Sequence, residues 1–210
     1  MTVSIILASS SRYRAALLSK ILLPSEHLKK DAFIQIAPNI DERTQAGETP
    51  QSLVMRLSVE KAKTVQKNNR KAIVIASDQV ACSPSGEIIG KPLTVKNAIS
   101  QLRSFSGKKV SFYTGLSVVY ADSVNVSTRI QTHLAITHVY FRTLQSKQIE
   151  YYVRQENPLD CAGGFKSEGL GISLFERIES EDPNSLVGLP LIQLCGMLSN
   201  IGFDVLSRSS

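Results

Sequence analysis

Residues 72–81, Ala-Ile-Val-Ile-Ala-Ser-Asp-Gln-Val-Ala, form the run that most restricts how this chain folds. A continuous apolar run of this length is expected of a strand covered on both faces, inside a sheet flanked by helices. Ser83-Pro84-Ser85-Gly86 ends it as a turn. Its one charged residue is Asp78. A carboxylate in such surroundings is costly to bury unpaired. Asp78 is therefore either a strand-end residue exposed at a sheet edge, capping a loop, or part of a site.

The flanking segments place that strand in an alternating pattern. Residues 3–8 are a second apolar run. Ser9-Ser10-Ser11 follows as an N-cap for a helix over 12–22, with Leu17, Leu18, Ile21 and Leu22 at helical spacing and Pro24 as its stop. Residues 33–37 read as a short strand. Thr49-Pro50 opens a helix running to about Lys67, with Leu53, Leu57, Ala62 and Val65 inward. Ile88-Ile89 returns briefly before Gly90-Lys91-Pro92 breaks the chain, and Thr94 caps a helix that Ser106-Gly107 stops. Residues 110–120 and 126–142 are rich in Val, Thr, Tyr and Ile and read as an antiparallel pair. A helix over 146–156 ends at Asn157-Pro158, a Gly-rich stretch covers 162–171, a strand is expected over 172–178, and a helix over 190–200 closes the chain. Strand–helix alternation followed by long strand pairs predicts an α/β fold with a mixed sheet. Without repeats, low-complexity tracts or long linkers, residues 1–210 read as a single domain.

Composition removes several classes of function. The hydrophobic fraction of 42% is that of a folded protein. No apolar run approaches the roughly 20 residues that cross a bilayer. The run at 3–8 is too short for a signal-peptide core, and its nearest basic residue, Arg12, follows it. These features predict a cytoplasmic protein with no membrane partner. Cys82, Cys161 and Cys195 are odd in number and far apart, which suits thiols in a reducing compartment better than a disulfide framework or a zinc site. His27, His133 and His138 form no metal cluster, and no G-x-S-x-G elbow is present. The net charge of +6 would attract nucleic acid, anionic lipid or a polyphosphate. There is no Lys/Arg-rich block and no tryptophan, so nucleic acid is not indicated. A cleft with a few convergent cations would serve a small, highly charged anion as well.

Five segments carry residues suited to that chemistry. The turn Ser9-Ser10-Ser11-Arg12-Tyr13-Arg14 sits between a buried strand and a helix N-terminus, where free backbone N–H groups favour phosphate. Serines before a helix are usually caps and nothing more, which is the simpler reading of this turn alone. Lys91, between Gly90 and Pro92, is presented by a rigid turn. Lys61 lies beside Glu60 on the second helix, where a solvated face is the simpler reading. Asp41-Glu42 are paired acids that either hold a hard divalent cation or are merely solvated. Gly163-Gly164-Phe165-Lys166-Ser167-Glu168-Gly169 lets backbone approach a ligand, or is a structural turn; it is neither a Walker loop nor a dinucleotide fingerprint.

Taken in order, Leu7-Ala8-Ser9-Ser10-Ser11-Arg12-Tyr13-Arg14, Asp41-Glu42, Glu60-Lys61-Ala62, Ser77-Asp78-Gln79-Val80, Gly90-Lys91-Pro92, Tyr113-Thr114-Gly115, Ala162-Gly163-Gly164-Phe165 and Val187-Gly188-Leu189-Pro190 resemble the Maf family of nucleotide pyrophosphatases. The resemblance covers almost the whole chain. More narrowly it points to the subgroup acting on 7-methyl-GTP, through Ser77-Asp78-Gln79-Val80, Phe165-Lys166-Ser167-Glu168-Gly169, and Leu174-Phe175-Glu176 followed by Asp182-Pro183-Asn184. Relatives that prefer dTTP and UTP typically carry Thr after the Asp and Gln where Glu168 stands. One departure stands in the first turn: Arg12 replaces the family's usual proline, and Ala15 follows Arg14 where a second arginine is customary.

The resemblance implies an elongated mixed sheet flanked by helices, in two lobes around a central cleft, and often a homodimer. It implies that Asp78 is the catalytic acid/base residue, that Ser9, Arg14, Lys61 and Lys91 hold the triphosphate, and that Tyr13, Gln79 and Glu168 choose the base. The expected reaction is attack of water on the α-phosphorus, with a divalent cation, Mg²⁺ or Mn²⁺, held by Asp78 and Glu42. A carboxylate at Glu168 would favour the cationic ring of 7-methylguanine, and Tyr13 would stack on it. Two alternatives are a dTTP/UTP pyrophosphatase of the same family and, from another class, a basic nucleic-acid-binding or division-associated regulator.

Overall fold

A computed structural model describes residues 4–22, 32–121 and 127–206. The predicted strand residue Val3, the Pro24 stop, His27 and the predicted strand start at Val126 lie outside the described residues. Seven strands form one mixed sheet with five helices around it among the described residues. Strand β1 (Ile5–Leu7) is followed by helix α1 (Arg12–Leu22), β2 (Ile34–Gln35), α2 (Pro50–Gln66), β3 (Ile73–Cys82), β4 (Ile88–Ile89) and α3 (Val95–Phe105). Then come β5 (Lys109–Ala121), β6 (Thr128–Phe141), α4 (Ser146–Glu156), β7 (Phe175–Ser180) and α5 (Leu191–Ser199). The strand order is β2-β1-β3-β5-β6-β7, with β4 paired to the far end of β3. β1 is parallel to both β2 and β3, and the remaining pairs are antiparallel.

Most of this follows the periodicity. β3 is buried from Ile73 to Asp78 and again at Ala81 and Cys82, as a run without polar alternation requires, with Gln79 and Val80 half-buried. Thr49 caps α2 by accepting from Ser52 N at 3.2 Å, with Pro50 in the first turn; such a cap contributes about 1 kcal/mol. Asn157 ends α4 in the left-handed conformation, φ 45°. The strand expected over 172–178 is displaced. Leu170–Leu174 is a 3-10 turn and the strand is Phe175–Ser180. At Gly171 the chain folds back so tightly that a Cβ would lie 2.3 Å from Lys166 O. The strand beyond it is an edge strand with only Phe175 buried, so apolar pattern does not mark its limits. The strand expected over 33–37 shortens to two residues.

Three apolar clusters divide the molecule. On one sheet face, α1 and α5 place Leu17, Leu18, Leu194 and Leu198 on Leu7, Ile75, Leu116 and Val118. Further along that face, α3 and α4 place Leu102, Phe105, Tyr152 and Val153 on Ala81, Phe112, Val139 and Phe141. The pairings Ile75↔Val118 and Ala81↔Phe112 put both clusters on the same side of β3 and β5. Between them that face carries Ser77, Gln79 and Thr114 instead of apolar side chains. These two clusters are the lobes, and of the polar band between them Gln79 lines the cleft while Ser77 and Thr114 are fully buried. On the opposite face α2 packs Ala62 and Val65 on Val74, Ala76 and Val119.

The connections locate the cleft. The chain runs from β1 through α1 to β2 on one side, then through α2 to β3 on the other, with α1 and α2 on opposite faces. Ligands of open α/β sheets bind outside the carboxyl ends of strands at such a switch point. β1 stops at Leu7, opposite Ile75, and β4 pairs only from Ala81. The edge of β3 around Asp78 and Gln79 is therefore open.

Candidate active site

A cleft of about 610 Å³ opens at that edge. Its lining includes Ser9, Tyr13, Arg14, Glu42, Lys61, Asp78, Gln79, Lys91 and Glu168, so the structure brings together every residue to which the resemblance gives a role, and leaves out only the candidate acid Asp41.

Lys61 reaches the cleft because α2 lies unusually close to the sheet. Gly115 pairs with Asp78 across β5 and β3, and a Cβ on it would stand 2.3 Å from Val54 O of α2. One turn on, Ser58 Oγ and Ser117 Oγ lie 2.7 Å apart. Lys61 lies three residues further along this face, and its Nζ donates to Asp78 Oδ1 at 2.5 Å and pairs with Glu42 Oε1 at 2.9 Å. Lys61 and Asp78 are only 5% and 6% exposed, so the solvated-face reading of Lys61 is replaced by a buried ion pair. Burial pushes the Asp78 carboxyl above the usual aspartate range, and Lys61 and then Arg14 pull it back. Glu42 is largely exposed and meets the pair from the cleft side. Its neighbour Asp41 turns away to Arg43 at 2.6 Å, which holds its carboxyl down at about 2. The two adjacent acids thus do not act as a pair.

The serine turn does more than cap. Ser9 Oγ accepts from Ser11 N at 3.1 Å and from Arg14 Nη1 at 3.4 Å. Arg14 Nε donates to Gly188 O at 2.9 Å, and Ser77 Oγ donates to the same carbonyl at 2.8 Å. Gly188 has φ 111°, and a Cβ there would lie 3.2 Å from Arg14 Nε, so the position requires glycine for both reasons. Burial pushes the Arg14 guanidinium down, opposed by Asp78 and Glu42. Arg12 does not join this cradle. Its guanidinium lies 4.9 Å from the Tyr13 ring centroid and 3.8 Å from Asp160, and it donates to the Tyr13 hydroxyl at 3.0 Å. It links Tyr13 to Asp160, both of which line the cleft, and lies over one face of the Tyr13 ring.

Lys91 is exposed, with no ion pair among the described residues, and Gln101 Nε2 holds its turn through Gly90 O at 3.1 Å. The loop carrying Glu168 is pinned at both ends. Lys166 N donates to Tyr152 Oη at 3.0 Å and Leu170 N to Glu156 Oε1 at 2.6 Å. Phe165 anchors the loop against Phe112, Phe141 and Phe175. Gln79 Nε2 donates to Ser185 O at 2.7 Å, Thr114 Oγ1 at 2.9 Å and Leu186 O at 3.3 Å. The turn giving those carbonyls is held by Asp182, which accepts from Asn184 N at 2.8 Å and from Ile192 N, at the start of α5, at 2.6 Å. Gly188, Ser185, Thr114 and Asp160 thus shape the site, although sequence reasoning gave them no role. Thr114 and Gly188 stood in quoted motifs, which was the signal available.

A buried carboxylate between two cations, at a sheet switch point beside a serine turn, defines an α/β protein built to hold and act on a polyanion. The chain belongs to the Maf family: the family profile described as Maf-like protein matches residues 4–201. It is 44% identical over 207 residues to a protein of Colwellia psychrerythraea named 7-methyl-GTP pyrophosphatase, covering 99% of this chain and 97% of that one. A Vibrio cholerae protein of known crystal structure aligns with 92% of this chain and 90% of its own, at 10% identity and a TM-score of 0.41.

Proposed function

We propose that this chain is a nucleoside triphosphate pyrophosphatase that hydrolyses 7-methyl-GTP to 7-methyl-GMP and pyrophosphate, removing a modified nucleotide from the cytoplasmic pool. The observation that carries the reading is Asp78, buried between Lys61 and Arg14 in a cleft that also holds Lys91 and Glu168. The full-length identity to a 7-methyl-GTP pyrophosphatase supports it. No helix among the described residues is long and apolar enough to cross a membrane.

The triphosphate lies against Ser9, Arg14, Lys61 and Lys91, where catalysis is largely electrostatic positioning. Asp78 hydrogen-bonds a water and takes its proton as the water oxygen attacks the α-phosphorus. The bond from the α-phosphorus to the α–β bridging oxygen breaks, and pyrophosphate leaves. In the resting site the single charge of Lys61 is shared between Asp78 and Glu42. Substrate phosphates compete for that ammonium and so raise the basicity of Asp78.

Asp78 and Glu42 also fit a hard divalent cation, Mg²⁺ or Mn²⁺, because both carboxylates converge on one point, now occupied by Lys61 Nζ, at 2.5 and 2.9 Å. Such a cation uses one or two carboxylates together with substrate phosphate oxygens. When bound, it neutralises charge on the reacting phosphates. At the other end, Glu168 supplies the carboxylate for the cationic 7-methylguanine ring, and the face of Tyr13 not covered by Arg12 is left for stacking.

A nucleotide panel followed by pyrophosphate release, with and without added divalent metal, tests the reading. Preferred turnover of 7-methyl-GTP is expected. A preference for dTTP and UTP would replace the substrate, and no turnover of any triphosphate would overturn the activity.

A further inference from the structure

We propose that Arg56 is a positioning residue: its guanidinium straps residues 43–48 to α2 and so sets Glu42 against Lys61. The proposal rests on the nucleotide reading above and adds to it a residue that does not line the cleft.

Residues 41–47 are all exposed, so apolar burial does not hold the loop that carries Glu42. Upstream the chain is tied to the sheet at Ile36, whose N–H donates to Leu7 O at 3.0 Å. Downstream α2 begins at Pro50. Between those points Glu42 has one ion pair among the described residues, the 2.9 Å contact with Lys61. A pair with one partner largely exposed is a weak means of ordering a loop.

Arg56 supplies the stronger hold. Its Nε and Nη2 donate to Glu48 Oε1 and Oε2 at 2.7 and 2.9 Å, a fork on a carboxylate side chain only 8% exposed. Nη2 also donates to Arg43 O at 3.1 Å, on the residue that follows Glu42. Nη1 donates to Glu60 Oε2 at 3.2 Å, which fixes the guanidinium along α2. Glu48 Oε2 accepts in turn from Gln45 N at 3.0 Å and closes the loop on itself. Arg56 holds the Glu48 carboxyl down at about 2, so the strap stays charged across the neutral range. Arg56 and Lys61 stand on one helix, about a turn and a half apart. The strap therefore refers Glu42 and Lys61 to the same rigid element. Lysine in place of Arg56 would keep the charge but could not grip a carboxylate at two points and a carbonyl at a third.

The test measures pyrophosphate release from 7-methyl-GTP and amide hydrogen exchange in wild type, Arg56→Ala, Arg56→Lys, Glu42→Gln and the double variant Arg56→Ala with Glu42→Gln. Arg56→Ala should lower kcat about tenfold, with KM little changed, the lower end for a group that orients a functional side chain. Arg56→Lys should not restore it. In the Glu42→Gln background Arg56→Ala should cost less than about twofold, because the side chain it positions is already gone. Exchange at the Gln45 amide should quicken about tenfold in Arg56→Ala, the scale of one hydrogen bond, while the amides of Leu57 and Ala62 keep their wild-type rates. Equal losses in the two backgrounds, full activity in Arg56→Lys, or quickening spread through α2 would each overturn the proposal. Glu48→Gln breaks the same fork more gently and gives the same comparison should Arg56→Ala not fold. Its effect too should vanish in the Glu42→Gln background, and an equal loss in both overturns the proposal. Wild-type turnover without this coupling would sink the inference alone. A Gln45 amide freed by Arg56→Ala, in a protein that releases no pyrophosphate, would sink the activity alone.

Discussion

At the end of the cleft formed by Ser9, Arg14, Glu42, Lys61 and Asp78, the groups are charged, and they are set by one another: a lysine between two carboxylates, and an arginine tied to a carbonyl. Next along β3, Gln79 and the buried Thr114 beneath it form a neutral end, and their geometry is set by the backbone carbonyls of Ser185 and Leu186. The charged end is arranged through long-range forces that shift with pH and with the ligand's own charge. The neutral end is arranged by short-range bonds that do neither. Substitutions at the first should therefore cost rate and change pH behaviour, and substitutions at the second should cost discrimination with the pH profile left in place.

Asp78→Asn breaks the charged end most severely. Turnover should fall by about 10³-fold, the middle of the range for a lost general base, while nucleotide binding is partly kept. Stability should not fall with it. Burial holds the folded carboxyl above its unfolded value, so its stabilising contribution is present below the unfolded pKa and lost as pH rises through the folded one. Near neutrality the Asp78 charge is a cost that asparagine removes. Thermal unfolding at pH 7 alongside pyrophosphate release checks both halves, and near-normal turnover would remove Asp78 from its role.

Lys61→Met should cost less rate but more stability, about 3 kcal/mol, because it strands a buried carboxylate. The attraction that pulls the Asp78 carboxyl down is then lost. The acid limb of kcat/KM should move to higher pH, and an unmoved limb would mean that Lys61 does not control the ionisation of Asp78.

Glu168→Gln tests the neutral end's one added charge. The preference for 7-methyl-GTP over GTP should drop about tenfold with the pH limb unmoved. An equal ratio of kcat/KM for the two substrates before and after would show that the carboxylate does not read the methyl cation. Arg12→Ala should have the smallest effect. Arg12 makes exposed contacts to Asp160 and Tyr13, and pairs of that kind contribute little. A change in kcat/KM within about threefold is expected. A larger loss would place Arg12 among the phosphate ligands.

The order of elements was legible in the sequence because local signals agree with the final packing. The serine cap and the spacing of Leu17, Leu18 and Leu22 mark α1 from Arg12 to Leu22, as observed. The 3-10 turn at Leu170–Leu174 was not legible, since it arises from contact between Gly171 and Lys166 O. The site divides in the same way. Asp78 stood out as a charge inside an apolar strand. Lys61, beside Glu60 on a helix, looked solvated, because its burial depends on how closely α2 can approach Gly115. Ser185 and Leu186 act through backbone carbonyls, which any residue type supplies, so side-chain chemistry could not point to them.

The carbonyl of Gly188 is shared by Arg14, 174 positions earlier, and Ser77, 111 positions earlier. Chains emerge from the ribosome N-terminus first. The cradle that begins at Ser9 therefore cannot close until Gly188 has been made. A growing chain already displays its lysines and its aspartate, yet lacks the turn that aligns Arg14 and seats Gln79. Until that turn arrives, the site is unfinished, and competence comes with the turn in one step instead of accumulating along the chain.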